Sequence, residues 1–135
     1  MTPINPQALG APRGYSNGIL APAGGRALFV AGQIAWDEQQ QIVPGGFPEQ
    51  FRQALSNVLE VVREAGGAPE SIGSLTIFVT DRHDYVDSLK EVGAVYRELM
   101  GRHFPAMALV EIQALLEPLA RVEIQAQAVI AEDAS

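Results

Sequence analysis

The sequence predicts an α+β fold, a mixed β-sheet with two helices packed on one face. Three observations lead there. Residues 47–65 and 84–100 repeat apolar side chains at the three-and-four spacing of a helical face, 74–80 is a short run rich in β-branched residues, and 121–131 alternates apolar with polar. Strands linked by helices, with further strands at both ends, pack most simply as one helical layer on one sheet.

The first 18 residues, rich in Pro and Gly, read as an irregular lead-in. Residues 18–22 and 27–35 are two short apolar runs separated by "PAGG", the pattern of a hairpin whose turn uses glycine. Gly32 interrupts the second run, which points to a bulge or a close backbone approach by another group. "DEQQQIVPGG" is a polar connection. In the first helix Phe51, Ala54, Leu55, Val58, Leu59 and Val62 form one stripe, Pro48 suits the opening turn, and the glycines at 66–67 suit the exit. Residues 74–80 read as a buried strand.

The second helix carries Tyr85, Leu89, Val92, Tyr96 and Leu99 on one stripe, with Asp84 placed to cap its start and Gly101 to close it. Residues 106–113 and 121–131 are two more extended segments flanking the short connector "LLEPLA", which suggests a second hairpin. Val110, Ile112, Val122, Ile124 and Ala126 give these segments a further set of apolar positions, while two helices cover only one side of a sheet. A sheet apolar on both faces is most simply covered by other copies of the chain, so a homo-oligomer with a concave site at its seam is expected.

The 135 residues suit one domain over 1–135. With 47% apolar and 19% charged residues the chain is too apolar to remain unfolded. It has no cysteine, so disulfides, thiolate metal sites and a cysteine nucleophile are excluded, and a reducing cytoplasm is the expected location. Only His83 and His103 remain as good transition-metal ligands, so no metal is expected. A net charge of −7 with nine scattered Lys and Arg residues argues against nucleic acid and anionic membrane as partners. No signal peptide or membrane span is expected from the pattern. The glycines of "GAPESIG" and "PAGG" lack the Lys and Ser/Thr of a phosphate loop, and Ser16 in "GYSNG" lacks a nucleophile elbow.

"FVAGQIAWD", "GGFPEQFRQALSNVLEVVREAGG", "IFVTDRHDY", "FPAMALVEIQ" and "VEIQAQAV", in this order along nearly the whole chain, resemble the RidA/YjgF family of enamine and imine deaminases. The resemblance implies a chorismate-mutase-like α+β fold, a homotrimer around a central β-barrel, and clefts between neighbouring subunits. It also implies cofactor-free hydrolysis of small enamines or imines to a keto acid and ammonia.

Residue by residue, Tyr15 corresponds to a tyrosine lining the cleft, Gly32 to the glycine of "GQ", and Glu123 to a glutamate positioning the hydrolytic water. The resemblance breaks at Met107, where active deaminases carry an arginine that clamps the substrate carboxylate. It breaks also at Gly93, where they often carry asparagine, and at Leu109, where they carry a small polar residue. The resulting pocket is more apolar. Gly32 and Ala108 would supply backbone groups for a substrate oxygen, and Met107 would form a cleft wall rather than a core filler. If an acid is still bound, Arg13, Arg102 and Arg121 are the candidate replacement cations, each otherwise a solvent-facing arginine. His103 would donate to a substrate oxygen or shuttle a proton, or is simply a loop residue.

Glu123 has two readings from the residues alone: a solvated strand carboxylate, paired with Arg121 two positions away, or a sheltered base acting on water. The family register favours the second. The expected function is therefore a RidA-like hydrolase of a small enamine, imine or related C–N bond. The alternative is a non-catalytic trimer that binds a small metabolite or a partner protein in the same clefts. A ribonuclease or translation inhibitor, the family's older label, fits poorly with an acidic chain lacking a basic stripe.

Overall fold

The structure is a computed structural model and describes residues 1–132. Its elements in chain order are β1 (Thr2–Ile4), β2 (Gly18–Leu20), β3 (Arg26–Gln33), α1 (Phe47–Glu64), β4 (Ile72–Val79), α2 (Arg82–Val86), α3 (Leu89–Met100), β5 (Ala106–Glu111) and β6 (Val122–Ile130). Among the described residues a four-stranded mixed sheet runs in the order β3-β6-β4-β5, and β1 pairs with β2 in a separate ribbon. The helices lie on one face of the larger sheet, as expected.

Helix α1 forms where the spacing predicts it. Glu49 accepts a hydrogen bond from the Gly46 amide at 2.9 Å, Pro48 occupies the first turn, and Gly66 leaves the helix at φ 91°. Its stripe from Phe47 to Val62 is buried against β6 and β3. Each Leu or Val of that stripe contributes roughly 1.5–3 kcal/mol by leaving water.

Both expected hairpins are corrected by the sheet order. The turn at "PAGG" exists, with Gly24 at φ 81°, but β2 pairs with β1 rather than β3. The cause lies upstream, in Ser16. Its amide donates to the Pro105 carbonyl at 3.1 Å and its hydroxyl to the Phe104 carbonyl at 2.5 Å, tying the chain to the β5 edge, opposite β3. The N-terminal lead-in, expected to be irregular, supplies β1. At the other end β5 pairs with β4, in parallel, and not with β6, because α2 and α3 form the crossover between them. Strand β6 instead inserts between β3 and β4, antiparallel to both.

The helix expected over 84–100 is two pieces. Asp81, not Asp84, caps the first, accepting from the His83 amide at 2.9 Å. The Ser88 hydroxyl turns back to the Asp84 carbonyl, and the chain breaks at Asp87–Ser88 before α3 begins. Gly101 ends α3 at φ 65°, as expected.

The apolar positions of these two strands do not lie on one face. Val122, Ile124 and Ala126 are buried under the helices, whereas Val110 is 41% exposed on the other side. On that open face β6 presents Glu123, Gln125 and Gln127, while β3 contributes Phe29, which is 75% exposed. The register shift between Val30 and Gln33 is the bulge expected at Gly32.

Gln50 is the buried polar residue of α1. Its amide nitrogen donates to the Leu119 carbonyl at 3.0 Å, and its oxygen accepts from the Arg121 amide at 2.9 Å. The loop into β6 thus closes on this one side chain. Gln50→Leu strands two backbone groups and should cost about 2–4 kcal/mol, measurable as a lowered midpoint in urea unfolding.

Candidate functional site

Glu123 projects from β6 onto the open face, where its carboxyl group packs against the backbone of Gly32. A Cβ at Gly32 would lie 2.6 Å from both Cδ and Oε2 of Glu123, so only glycine leaves the carboxylate room. The close approach expected at Gly32 is this one. Glu123 is half-buried, and among the described residues it forms no ion pair, with Arg121 or any other cation. It faces a cavity of about 340 Å³ whose walls include Ile34, Trp36, Ile42, Leu116 and Glu117.

Amide side chains of α1 hold two sides of that cavity. Asn57 donates to the carbonyls of Ile34 (3.1 Å) and Trp36 (2.9 Å), and Gln53 donates to Trp36 and to Asn57 Oδ1. Gln50 fixes the far side through the loop that carries Leu116 and Glu117. Leu116 itself is fully exposed.

Met107 lies on the opposite face of the sheet. Leu75 of β4 is partnered by Met107 and Ala126, whereas Phe78 is partnered by Val110 and Glu123. Three positions apart on a regular strand, these two sets point to opposite faces. Met107 and Leu109 therefore pack on the helix side, half-buried against the core, and Ala108 is exposed on the open side. Met107 lines a second cavity, of about 350 Å³, together with Gly93 of α3.

One chain thus divides the expected site. Gly32 and Glu123 meet on the open face, and Met107 meets Gly93 on the helix face. Tyr15 is 40% exposed; its neighbour Gly14 lines the second cavity, and Ser16 is bonded to the β5 entry.

The candidate cations scatter. Arg121 lines another cavity with Gln50, Thr80 and Gln113, and Arg13 and Arg102 are exposed. His103 is a strut: its Nε2 is 2.6 Å from the Ile72 carbonyl and therefore carries the proton. Its own carbonyl accepts from the Tyr96 hydroxyl at 2.6 Å, and Tyr96 stacks on Phe104 with centroids 5.6 Å apart. Burial raises the Tyr96 pKa well above its ordinary value, so this hydroxyl stays a donor.

Five residues that line or brace these cavities are not among the expected site residues: Gln50, Gln53, Asn57, Leu116 and Arg97. The first three form an amide stripe at i, i+3 and i+7 of α1, a pattern visible in the sequence beside the apolar one. Arg97, which lines the Met107 cavity, follows Gly93 at i+4.

A small mixed sheet under helices, with a carboxylate seated against a glycine bulge, defines an α+β protein with a candidate acid–base site, and comparison with known proteins gives its family. The family described as Endoribonuclease L-PSP matches residues 5–130, and the chain belongs to that family, the RidA/YjgF family. The 2-iminobutanoate/2-iminopropanoate deaminase of Bos taurus is 34% identical over 116 residues, covering 85% of this chain and 79% of that protein. A Rid-family protein of unknown function from Yersinia pestis, YyfB, superposes with a TM-score of 0.83 at 29% identity, covering 96% of this chain and 98% of that one. The structure of TdcF from E. coli with bound serine gives 0.67 at 28% identity, with 90% and 92% covered. No helix among the described residues is long and apolar enough to cross a membrane.

Gly32→Ala places a methyl group against the far end of a flexible side chain. It should displace the Glu123 carboxylate while changing stability by less than about 1 kcal/mol. Chemical unfolding should show a near-unchanged midpoint, and any turnover that depends on Glu123 should fall.

Proposed function

We propose that this chain is a cofactor-independent imine and enamine hydrolase in which Glu123 holds and activates the attacking water. The observation that carries this reading is the half-buried carboxylate of Glu123, seated against Gly32, free of any cation and facing a cavity. Relatives named as 2-iminobutanoate/2-iminopropanoate deaminases support the same chemistry. An unpaired carboxylate can accept a proton from water as the oxygen attacks the imine carbon. The resulting carbinolamine takes that proton on nitrogen and collapses as its hydroxyl proton passes to Glu123, breaking C–N to release ammonia and a 2-oxo acid. Water is the nucleophile and no electron changes hands. In this reading backbone groups near Gly32 and Ala108 hold the substrate oxygen.

In this reading the complete site belongs to a homotrimer with a chorismate-mutase-like barrel core. The support is the division of the site: Met107 and Gly93 on the helix side, Glu123 and Gly32 on the open side. A neighbouring copy supplies the missing half, and the exposed Phe29 and Leu116 are suited to the contact. The substrate is a small free molecule, in keeping with the serine found in the E. coli relative. Neither nucleic acid nor membrane takes part, and the absence of cysteine supports a cytoplasmic location.

Glu123→Gln keeps the shape and removes the base. Ammonia release from 2-iminobutanoate generated in situ should fall about 10²–10⁴-fold in kcat. Equal rates for variant and wild type would remove the proposed mechanism.

Met107 favours a second reading, a trimer that binds a metabolite without turning it over, because a thioether cannot clamp a carboxylate by charge. Met107→Arg separates the two. Under the hydrolase reading both forms release ammonia, with different substrate preference; under the binding reading only the variant does.

A further inference from the structure

We propose that Arg97 is the carboxylate-binding residue of this site, and that the cavity beside it takes an apolar substrate side chain. The ligand class is then an imino or enamino acid with a branched or aromatic tail. The inference rests on the hydrolase reading for its chemistry, but its geometry stands independently.

The cavity of about 350 Å³ is of small-molecule size. Its floor is core: Phe51, Ile77 and Val92 are each less than 5% exposed. Met107 adds a flexible, polarizable wall where an arginine would have added charge. Phe104, stacked on Tyr96, makes a stiff rim, because the Tyr96 hydroxyl is held by the His103 carbonyl.

The mouth is open because residue 93 is glycine, and a Cβ built there meets nothing within 4 Å. A long helical side chain covers the turn before its own, so a residue four positions on drapes across the space that Gly93 leaves. That residue is Arg97, which lines the cavity. The two arginines of α1 are engaged, Arg52 with Glu98 and Arg63 with Glu60. Among the described residues Arg97 forms no ion pair, so its guanidinium is available to an incoming carboxylate. The strand presents Met107 to this cavity, the helix presents Gly93, and one exposed arginine lines it with both.

The test is titration calorimetry of the intact protein with three unreactive product analogues, 2-oxobutanoate, 4-methyl-2-oxopentanoate and phenylpyruvate, and with the neutral methyl ester of the second. Wild type should bind the two larger acids more tightly, by roughly fourfold per methylene buried. Arg97→Ala lies on an exposed helical position and replaces one good helix former by another, so folding is retained. It should weaken all three acids by about tenfold or more and leave the ester unchanged. Arg97→Lys should recover part of the loss. Gly93→Leu, which fills the mouth without harming the helix, should weaken the larger acids most. Unchanged acid affinity in Arg97→Ala, or an ester that binds as tightly as its acid, overturns the assignment. Arg97-dependent binding without ammonia release from the corresponding imines removes the hydrolase reading and keeps this one. Ammonia release with a KM indifferent to Arg97→Ala does the reverse.

Discussion

In a strand, successive side chains point to opposite faces, and β4 keeps that alternation unbroken from Leu75 to Val79 while β5 and β6 pair on either side of it. Everything about the site follows from this regularity. The helix-facing set, Leu75, Ile77, Val79, Ile124 and Ala126, is buried, and it takes Met107 and Leu109 with it. The intervening set puts Glu123, Phe78 and Val110 on the open side. A one-residue slip in any pairing would exchange the faces, exposing the core and burying a carboxylate. The strand register that holds the core together is therefore the same register that separates Glu123 from Met107.

Helix α1 serves both halves of the molecule through two adjacent stripes. Its apolar stripe closes the core, while Gln50, Gln53 and Asn57 reach backbone carbonyls that the sheet leaves unpaired at its ends. Those carbonyls belong to the segments that wall the Glu123 cavity. Buried amides without partners would each cost more than the bonds they form, so the helix and the loops are specified together. This couples the position of a surface cavity to the packing of the core.

Much of this was legible before the structure. The bounds of α1, the turn at Gly66, the bulge at Gly32 and the strand character of β4 and β6 all follow from local spacing and turn chemistry. Strand partners did not, because a glycine turn between two apolar runs permits a hairpin without requiring one. The decision was made by Ser16, whose bonds to Phe104 and Pro105 span almost 90 positions and leave no local trace. The break at Ser88 was hidden for the opposite reason: a local side-chain bond competes with helix where the apolar stripe continues unbroken. At the site, the glycine announced that something would approach it, and the pairing identified that group as Glu123. Arg97 has no motif to mark it: Arg13, Arg102 and Arg121 sit beside strand segments, whereas helical phase alone sets Arg97 one turn from Gly93.

Moving a cation from a strand to an exposed helix changes the energetics of recognition. An arginine half-sheltered beside the core gives up hydration in the empty protein and must be compensated there, whereas Arg97 stays in water until a ligand arrives. The exposed guanidinium is also screened, so its pull on a carboxylate is weaker and falls with salt. A net charge of −7 opposes the approach of any acid as well. Charge alone would therefore bind a small imino acid poorly at this site. The apolar cavity supplies what the charge does not, at about 25 cal/mol for each Å² of apolar surface covered. Selectivity then shifts from the carboxylate, which all such acids share, to the tail, in which they differ. Met107 lines that cavity with a thioether, which offers a tail apolar contact and a carboxylate no charge.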